Sequence, residues 1–258
     1  MRRLLLATAV TVTAAAVMAQ VKLVGHRGSA YGVESTAEAF RNAAQMGADY
    51  VETDIKVTAD GHFVLSHDDT LRRMGSMRVI PESTLAELQA DTLRQTRNGV
   101  EYTGRLMELG EWLDLCHELG VRPLIEFKYG TGVNNNDQSN IPALIEIVRQ
   151  KGFEHDCIIL TSMKKCLEFV RANYPEIAIQ FLTAQYEPNH YEWCVEQGFG
   201  ADVAHPYVDS AVIERYHSHG LPVNAWTVDD PAVAARLKAA GIDFITTNVI
   251  TRPQLDSL

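Results

Sequence analysis

Cysteine is sparse: Cys116, Cys157, Cys166 and Cys194 are the only four in 258 residues, and none stands in a CxxC pair. That spacing excludes the common zinc and dithiol redox motifs. Their positions do not assign a pairing, and a buried thiol is the simplest state for Cys157, which sits in a strand-like run. Basic charge is also short: 23 Lys and Arg face 33 Asp and Glu, a formal net charge of −10. A nucleic-acid binder needs a basic footprint, and docking on anionic lipid needs one too. A negatively charged substrate stays compatible if cations gather locally in a site. There is no internal repeat, low-complexity tract or long polar linker, so one large α/β domain fits the length. A chain of this size buries a sizeable core without metal or disulfide staples.

The first residues differ from the rest. Arg2 and Arg3 precede an uncharged stretch of small and apolar residues from Leu4 to Val17, followed by Val17-Met18-Ala19. This is the pattern of a signal peptide cut after Ala19. The apolar run is too short for a comfortable membrane span. No Cys follows the cut, which argues against a lipoprotein anchor there. Residues 1–19 are thus expected to be an export signal and residues 20–258 the mature domain, periplasmic or secreted, with no stable membrane span.

Beyond that point, short runs rich in Val, Ile and Phe recur at Leu23–His26, Tyr50–Val57, Phe63–His67, Pro123–Phe127, Cys157–Thr161, Ala178–Leu182, Val203–Pro206, Val223–Thr227 and Phe244–Thr247. They read as strands. Between most of them lie amphipathic segments closed by Gly: Thr36–Met46, Leu106–Glu118, Ile141–Lys151, Met163–Asn173 (closed by Pro175), Tyr191–Gln197, Ser210–His219 and Ala232–Ala240. For the first, Ser35 is the expected N-cap and Gly47 the stop. Strand, helix, Gly, strand is the order of βαβ units around a parallel sheet. The number of units favours a closed TIM (β/α)8 barrel in a single domain. The candidates exceed the eight barrel positions by one. Asp60-Gly61, between two strand-like runs, is a hairpin signal, so Tyr50–Val57 and Phe63–His67 are expected to be antiparallel neighbours, one of them irregular in the barrel. Residues 68–105 are the least regular stretch and read as an excursion over the barrel mouth, with a short helix at Leu85–Leu88.

Candidate chemistry gathers at strand ends, where TIM-barrel active sites form. In Gly25-His26-Arg27-Gly28 the glycines permit a tight turn, His26 can move protons near neutral pH, and Arg27 can hold a phosphate with paired donors. Glu52 and Asp54 share one face of a strand whose other face, Val51, Thr53 and Ile55, is mostly apolar. Two inward carboxylates need neutralising, and a divalent cation does so economically. Glu126 and Lys128 repeat the geometry: a third carboxylate for a cation site and a cation for a phosphate, or else a simple ion pair. His67, ahead of Asp68, gives a second histidine for an acid/base couple. His62 falls in the hairpin turn; His117, His155, His190, His217 and His219 have no matching spacing; His205 ends a strand and could reach the mouth. Trp226 either walls the pocket or packs in the barrel.

In order and spacing, Gly25-His26-Arg27-Gly28, Glu34-Ser35-Thr36 with Ala39-Phe40, Gly47-Ala48-Asp49, Glu52-Thr53-Asp54, Thr58-Ala59-Asp60-Gly61 and His67-Asp68 resemble the glycerophosphodiester phosphodiesterase family. Glu126-Phe127-Lys128, Trp226-Thr227-Val228 and Ile245-Thr246-Thr247 resemble its later elements. The resemblance implies a TIM barrel, a magnesium or calcium ion held by Glu52, Asp54 and Glu126, acid/base histidines at His26 and His67, and phosphate binding by Arg27 and Lys128. The implied reaction releases glycerol 3-phosphate and an alcohol from a small glycerophosphodiester. Ser35 stands where the family usually has Asn. Thr247-Asn248 stands where the closing strand usually has an acid, and Pro253 comes late. The rivals are a related barrel acting on lysophospholipid or phosphoinositide, and a catalytically silent binding barrel. Polar residues in the excursion, including Arg94, Gln95, Arg97 and Asn98, favour a small soluble substrate. Head group, choice of cation and oligomeric state are open at this level.

Overall fold

The computed structural model describes residues 20–258; the expected signal and its cut after Ala19 lie outside the described residues. In chain order the elements are β1 (Lys22–Gly25), α1 (Ala37–Gln45), β2 (Tyr50–Val57), β3 (Phe63–Leu65), α2 (Leu85–Gln89), β4 (Leu93–Arg97), β5 (Val100–Gly104), α3 (Leu109–Leu119) and β6 (Arg122–Phe127). They continue as α4 (Ile141–Gln150), β7 (Ile158–Thr161), α5 (Lys164–Asn173), β8 (Ala178–Thr183), α6 (Pro188–Gln197), β9 (Gly200–Ala204), α7 (Ser210–His217), β10 (Val223–Trp226), α8 (Pro231–Ala239), β11 (Phe244–Thr247) and α9 (Arg252–Ser257). Strands β1, β2, β6, β7, β8, β9, β10 and β11 pair in parallel, and β1 bonds both β2 and β11, which closes the barrel.

Period-two alternation sorts the side chains. Ile125, Phe127, Ile159, Val203 and Ile245 face outward and meet the helix ring, where Phe40, Trp112 and Leu144 are fully buried. Val24, Tyr50, Leu124, Ile158 and Leu160 form a separate cluster. Each such buried side chain contributes about 1.5–3 kcal/mol relative to exposure. The polar inward positions collect toward the C-terminal ends of the strands, where the loops leave.

The hairpin signal at Asp60-Gly61 is real, but neither strand is irregular in the barrel. β2 runs past its parallel partner and pairs antiparallel with β3, Ile55 opposite Leu65 and Val57 opposite Phe63, so β3 lies outside the closed sheet. A second core, Val33, Val64, Leu71, Met74, Ile80, Leu88, Leu93 and Leu106, forms beside it. The excursion is therefore a packed cap rather than a loose loop. It contains the β4–β5 hairpin, which the sequence reading did not anticipate; Asn98 (φ 52°) and Gly99 (φ 78°) make its turn.

Ser35 is not the N-cap of α1. Thr36 occupies that position, and Ser35 is a buried residue at φ 56° whose hydroxyl accepts a bond from Thr53 Oγ1 at 3.2 Å. β9 ends at Ala204, and His205–Tyr207 form a 3-10 turn rather than the end of a strand. Pro253 lies in the first turn of α9, a helix the sequence did not announce. All four cysteines are free and buried. Among the described residues no helix is long and apolar enough to cross a membrane.

Candidate active site

The turn after β1 is built by its glycines. A Cβ on Gly25 would lie 2.4 Å from the Gly28 carbonyl oxygen, and one on Gly28 (φ +86°) 2.6 Å from the Ala39 carbonyl carbon. Between them Arg27 takes φ 50°, a left-handed conformation that costs a non-glycine residue about 1–2 kcal/mol. The contacts it gains hold it there. Its backbone N–H donates to Glu52 Oε2 at 2.8 Å, and its Nε lies 3.3 Å from Asp54 Oδ2.

Glu52 and Asp54 point inward from β2, and Glu126 does so from the adjacent β6. Ligand oxygens of the three lie within 4.8 Å of one another. Lys128 Nζ reaches Glu126 at 2.5 Å and Asp54 at 3.1 Å. Burial, reinforced by the Asp54 charge, raises the Glu52 carboxyl to about 8 and pushes Glu126 well above the usual carboxylate range. Burial opposes the charge of Asp54 as well, but Lys128 and Arg27 outweigh it and hold that carboxyl below its ordinary value. The Asp54 oxygens are held by ion pairs with Arg27 and Lys128 rather than by well-aligned hydrogen bonds. The donor set is all oxygen, crowded, buried and short of positive charge, which fits one hard divalent cation.

Two histidines flank the trio. Burial, followed by the Arg27 charge, lowers His26 from 6.5 to about 4, so its imidazole is neutral near pH 7. His26 Nδ1 lies 3.0 Å from Asn248 Oδ1, while Asn248 Nδ2 donates to Asp229 Oδ2 at 2.7 Å. Because that amide nitrogen serves Asp229, the oxygen faces the ring; Nδ1 carries the hydrogen and Nε2 keeps its lone pair. Burial also lowers His67, partly offset by Asp54 and by Asp68, whose Oδ1 lies 2.6 Å from His67 Nδ1.

A cleft of about 90 Å³ joins these groups, lined among others by His26, Arg27, Glu52, His67, Glu126, Lys128 and Trp226. Asp54 does not line it but pairs with Arg27 and Lys128, which do. All eight residues singled out in the sequence thus converge. His62 pairs with Glu108 away from the cleft, and His205 does not line it.

The sequence reading missed four contributors. Glu34, noticed only as part of a motif, is a buried hub: it receives Arg97 at 2.8 Å and Gln95 at 3.3 Å from the cap hairpin, and Arg27 at 3.5 Å. Lys56 shares the inward face of β2 and ties the cap to the β6 loop, reaching Asp69 at 2.7 Å and the Tyr129 carbonyl at 3.0 Å. Their spacing, Glu52, Asp54, Lys56, was the available signal. Asn248 orients His26. Asp202 lines the cleft from β9, and burial, with the Glu126 charge added, lifts its carboxyl well above the usual range.

A model of the Glycerophosphoryl diester phosphodiesterase family matches residues 26–252, nearly the whole described chain. The chain belongs to this family. It is a phosphoric diester hydrolase. Members of the glycerophosphoryl diester phosphodiesterase family similar to it include a glycerophosphodiester phosphodiesterase of Caldanaerobacter subterraneus, 28% identical over 88% of this chain and 93% of the relative. One from Bacillus subtilis is 25% identical over 89% of this chain and 84% of its own length. Among solved structures, an Oleispira antarctica phosphodiesterase in complex with the product sn-glycerol-3-phosphate superposes with a TM-score of 0.77 at 23% identity, covering 92% of this chain and 95% of that one.

Proposed function

We propose that the protein hydrolyses glycerophosphodiesters to glycerol 3-phosphate and an alcohol, using one divalent cation, Mg²⁺ or Ca²⁺, held by Glu52, Asp54 and Glu126. The observation that carries this reading is the buried, undercompensated carboxylate trio facing two histidines, His26 and His67, in one cleft. The product bound by the Oleispira antarctica relative supports the substrate class. A bound cation would supply charge stabilisation at the phosphate oxygens.

The protein's own groups do the rest. Arg27 and Lys128 hold the phosphate and offset charge growing on its oxygens. His26 Nε2 takes the proton of the glycerol 2-hydroxyl, whose oxygen attacks phosphorus. The bond from phosphorus to the head-group oxygen breaks, and His67 gives that oxygen its Nε2 proton, leaving a cyclic phosphate. Asp68 favours the imidazolium that makes this donation possible. Water then opens the ring, with His67 taking its proton and His26 returning one to the 2-oxygen. Trp226 walls the cleft.

Release of glycerol 3-phosphate from glycerophosphocholine, measured with Mg²⁺, with Ca²⁺ and with EDTA, tests the reading. Turnover is expected only with a divalent cation, and His26→Ala, His67→Ala or Glu52→Ala should each lose about 10²–10⁴-fold in kcat. Equal turnover in EDTA would remove the cation, and a near-normal variant would remove that residue's role. One observation favours lysophospholipid as a second substrate class. Among the described residues, Tyr31, Met77, Val100, Tyr129 and Tyr207 are the exposed large apolar residues apart from Leu258, and all lie in segments leaving C-terminal strand ends. Faster release from lysophosphatidylcholine than from glycerophosphocholine would select it. We further propose export; a mature N-terminus at Gln20 is the expected sequencing result, and retention of residues 1–19 would refute it.

A further inference from the structure

Alternation along β9 turns Ala201 and Val203 outward into the helix-covered core and Asp202 inward, level with Leu182 on β8 and Asn224 on β10. Asp202 is only 4% exposed, lines the cleft, and one of its carboxyl oxygens is fully buried without a hydrogen-bond partner. Most donors around it are already engaged, and the buried Gln180 Nε2, itself without a partner, makes no hydrogen bond to it. The Trp226 indole N–H goes to the Asp202 backbone carbonyl at 3.3 Å, the Asn224 amide to Gln180 at 3.4 Å, and the Thr246 hydroxyl to Asn224 at 3.1 Å. Among the described residues no cationic side chain pairs with it. The fold gains nothing from this carboxyl, because an unsatisfied buried polar group destabilises and an apolar residue of similar size would not.

The cleft has two sides. β1, β2 and β6 supply His26, Arg27, Glu52 and Glu126, the groups suited to phosphate and cation, while β7, β8 and β9 supply Leu160, Leu182 and Asp202. A diester seated with its phosphate on the first side sends one organic arm across the leucines to Asp202. The buried end must take the arm that every glycerophosphodiester shares, since varied head groups need the open end. On a glycerol arm the 2-hydroxyl lies next to the reacting phosphate, and the terminal hydroxyl extends away from it.

We propose that Asp202 is a substrate-binding residue that hydrogen-bonds the terminal hydroxyl of the glycerol arm and thereby selects glycerol diesters over diesters lacking that hydroxyl. The assignment rests on the glycerophosphodiester reading above. The unpaired carboxyl oxygen is an acceptor aimed at the cleft, and an alcohol hydroxyl is the donor that would satisfy it. A site built to bond a substrate hydroxyl strongly rejects the analogue without it, because its own polar group is then left unpaired.

Calorimetry with the whole protein and its divalent cation tests this independently of turnover. The ligands are sn-glycerol 3-phosphate and 1,2-propanediol 1-phosphate, which differ only in the terminal hydroxyl. The wild type should bind the glycerol compound about 10-fold or more tightly. Asp202→Leu should bind the two equally, while its melting temperature stays level or rises. Asp202→Asn, which retains a donor and an acceptor, should restore the preference. Asp202→Ala repeats the comparison if the leucine variant does not fold. Wild-type binding of glycerol 3-phosphate without preference, or a preference that survives Asp202→Leu, overturns the inference alone. Failure of the wild type to bind either ligand overturns the glycerophosphodiester reading and this inference with it.

Discussion

At the scale of the residue, the site depends on side chains whose partners lie far away in sequence. His26 owes its tautomer to Asn248, and Asn248 owes its orientation to Asp229, which also accepts from the Asn248 backbone N–H at 2.7 Å and the Thr247 hydroxyl at 2.9 Å. Neutral Asn in place of an acid therefore keeps the ring anchored without adding charge to it. Asn248→Ala should lower kcat/KM by about 10–100-fold, the range seen when an orienting partner of a site histidine is lost. The ring could then adopt either tautomer, with little change in melting temperature because Asn248 is not part of the packed core. A rate within twofold of wild type would show that His26 is held by the turn alone. Ser35 illustrates the opposite limit. Its spacing before a helical run reads as a cap, but the cap is Thr36, and only backbone geometry reveals that residue 35 is left-handed.

At the scale of the element, legibility followed burial. The barrel strands announced themselves because their outward faces are continuous apolar surface, and the two-residue period put Glu52 with Asp54 on one strand face and Glu126 with Lys128 on another. The β4–β5 hairpin stayed hidden because Leu93 is the only fully buried residue in Leu93–Arg97, and the other positions are polar on both faces. Asn98-Gly99 was its one local signal, a pair suited to a turn with two positive φ angles. Asp202 was missed because β9 begins three residues earlier than its apolar content suggests, which left the carboxyl looking like a flank. The hairpin matters because Gln95 and Arg97 reach Glu34, which also touches Arg27. Gly99→Val, forced into φ 78°, should destabilise this hairpin by at least about 1 kcal/mol. Hydrogen exchange should quicken across residues 93–104 while the barrel strands stay protected, and the substrate KM should rise. Unchanged exchange across those residues would mean that the cap core alone fixes the hairpin.

At the scale of the whole molecule, the buried carboxylate trio stores a cost that the proposed cation would remove. Glu52 titrates near 8 in the fold against a usual value of 4.5. A carboxyl raised in this way contributes full stability below its unfolded value, and the contribution is lost as pH rises through the folded one. Without a cation, stability should therefore decline between about pH 5 and pH 8. His26 works at the other end: lowered from 6.5 to about 4, its contribution is present above pH 6.5 and lost as pH falls through about 4. A divalent cation that bound the ionised trio and not the unfolded chain, as proposed, would at 100 times its dissociation constant add about 2.7 kcal/mol. For a domain of this size that corresponds to a rise of roughly 5–10 °C in melting temperature. The rise should be larger at pH 8 than at pH 5, because at the lower pH the cation must first displace protons from Glu52 and Glu126. Melting curves at both pH values, with EDTA and with saturating Mg²⁺ or Ca²⁺, measure this directly. A melting temperature that ignores the cation at pH 8 would mean that Arg27 and Lys128 already balance the trio, and the divalent site would have to be given up.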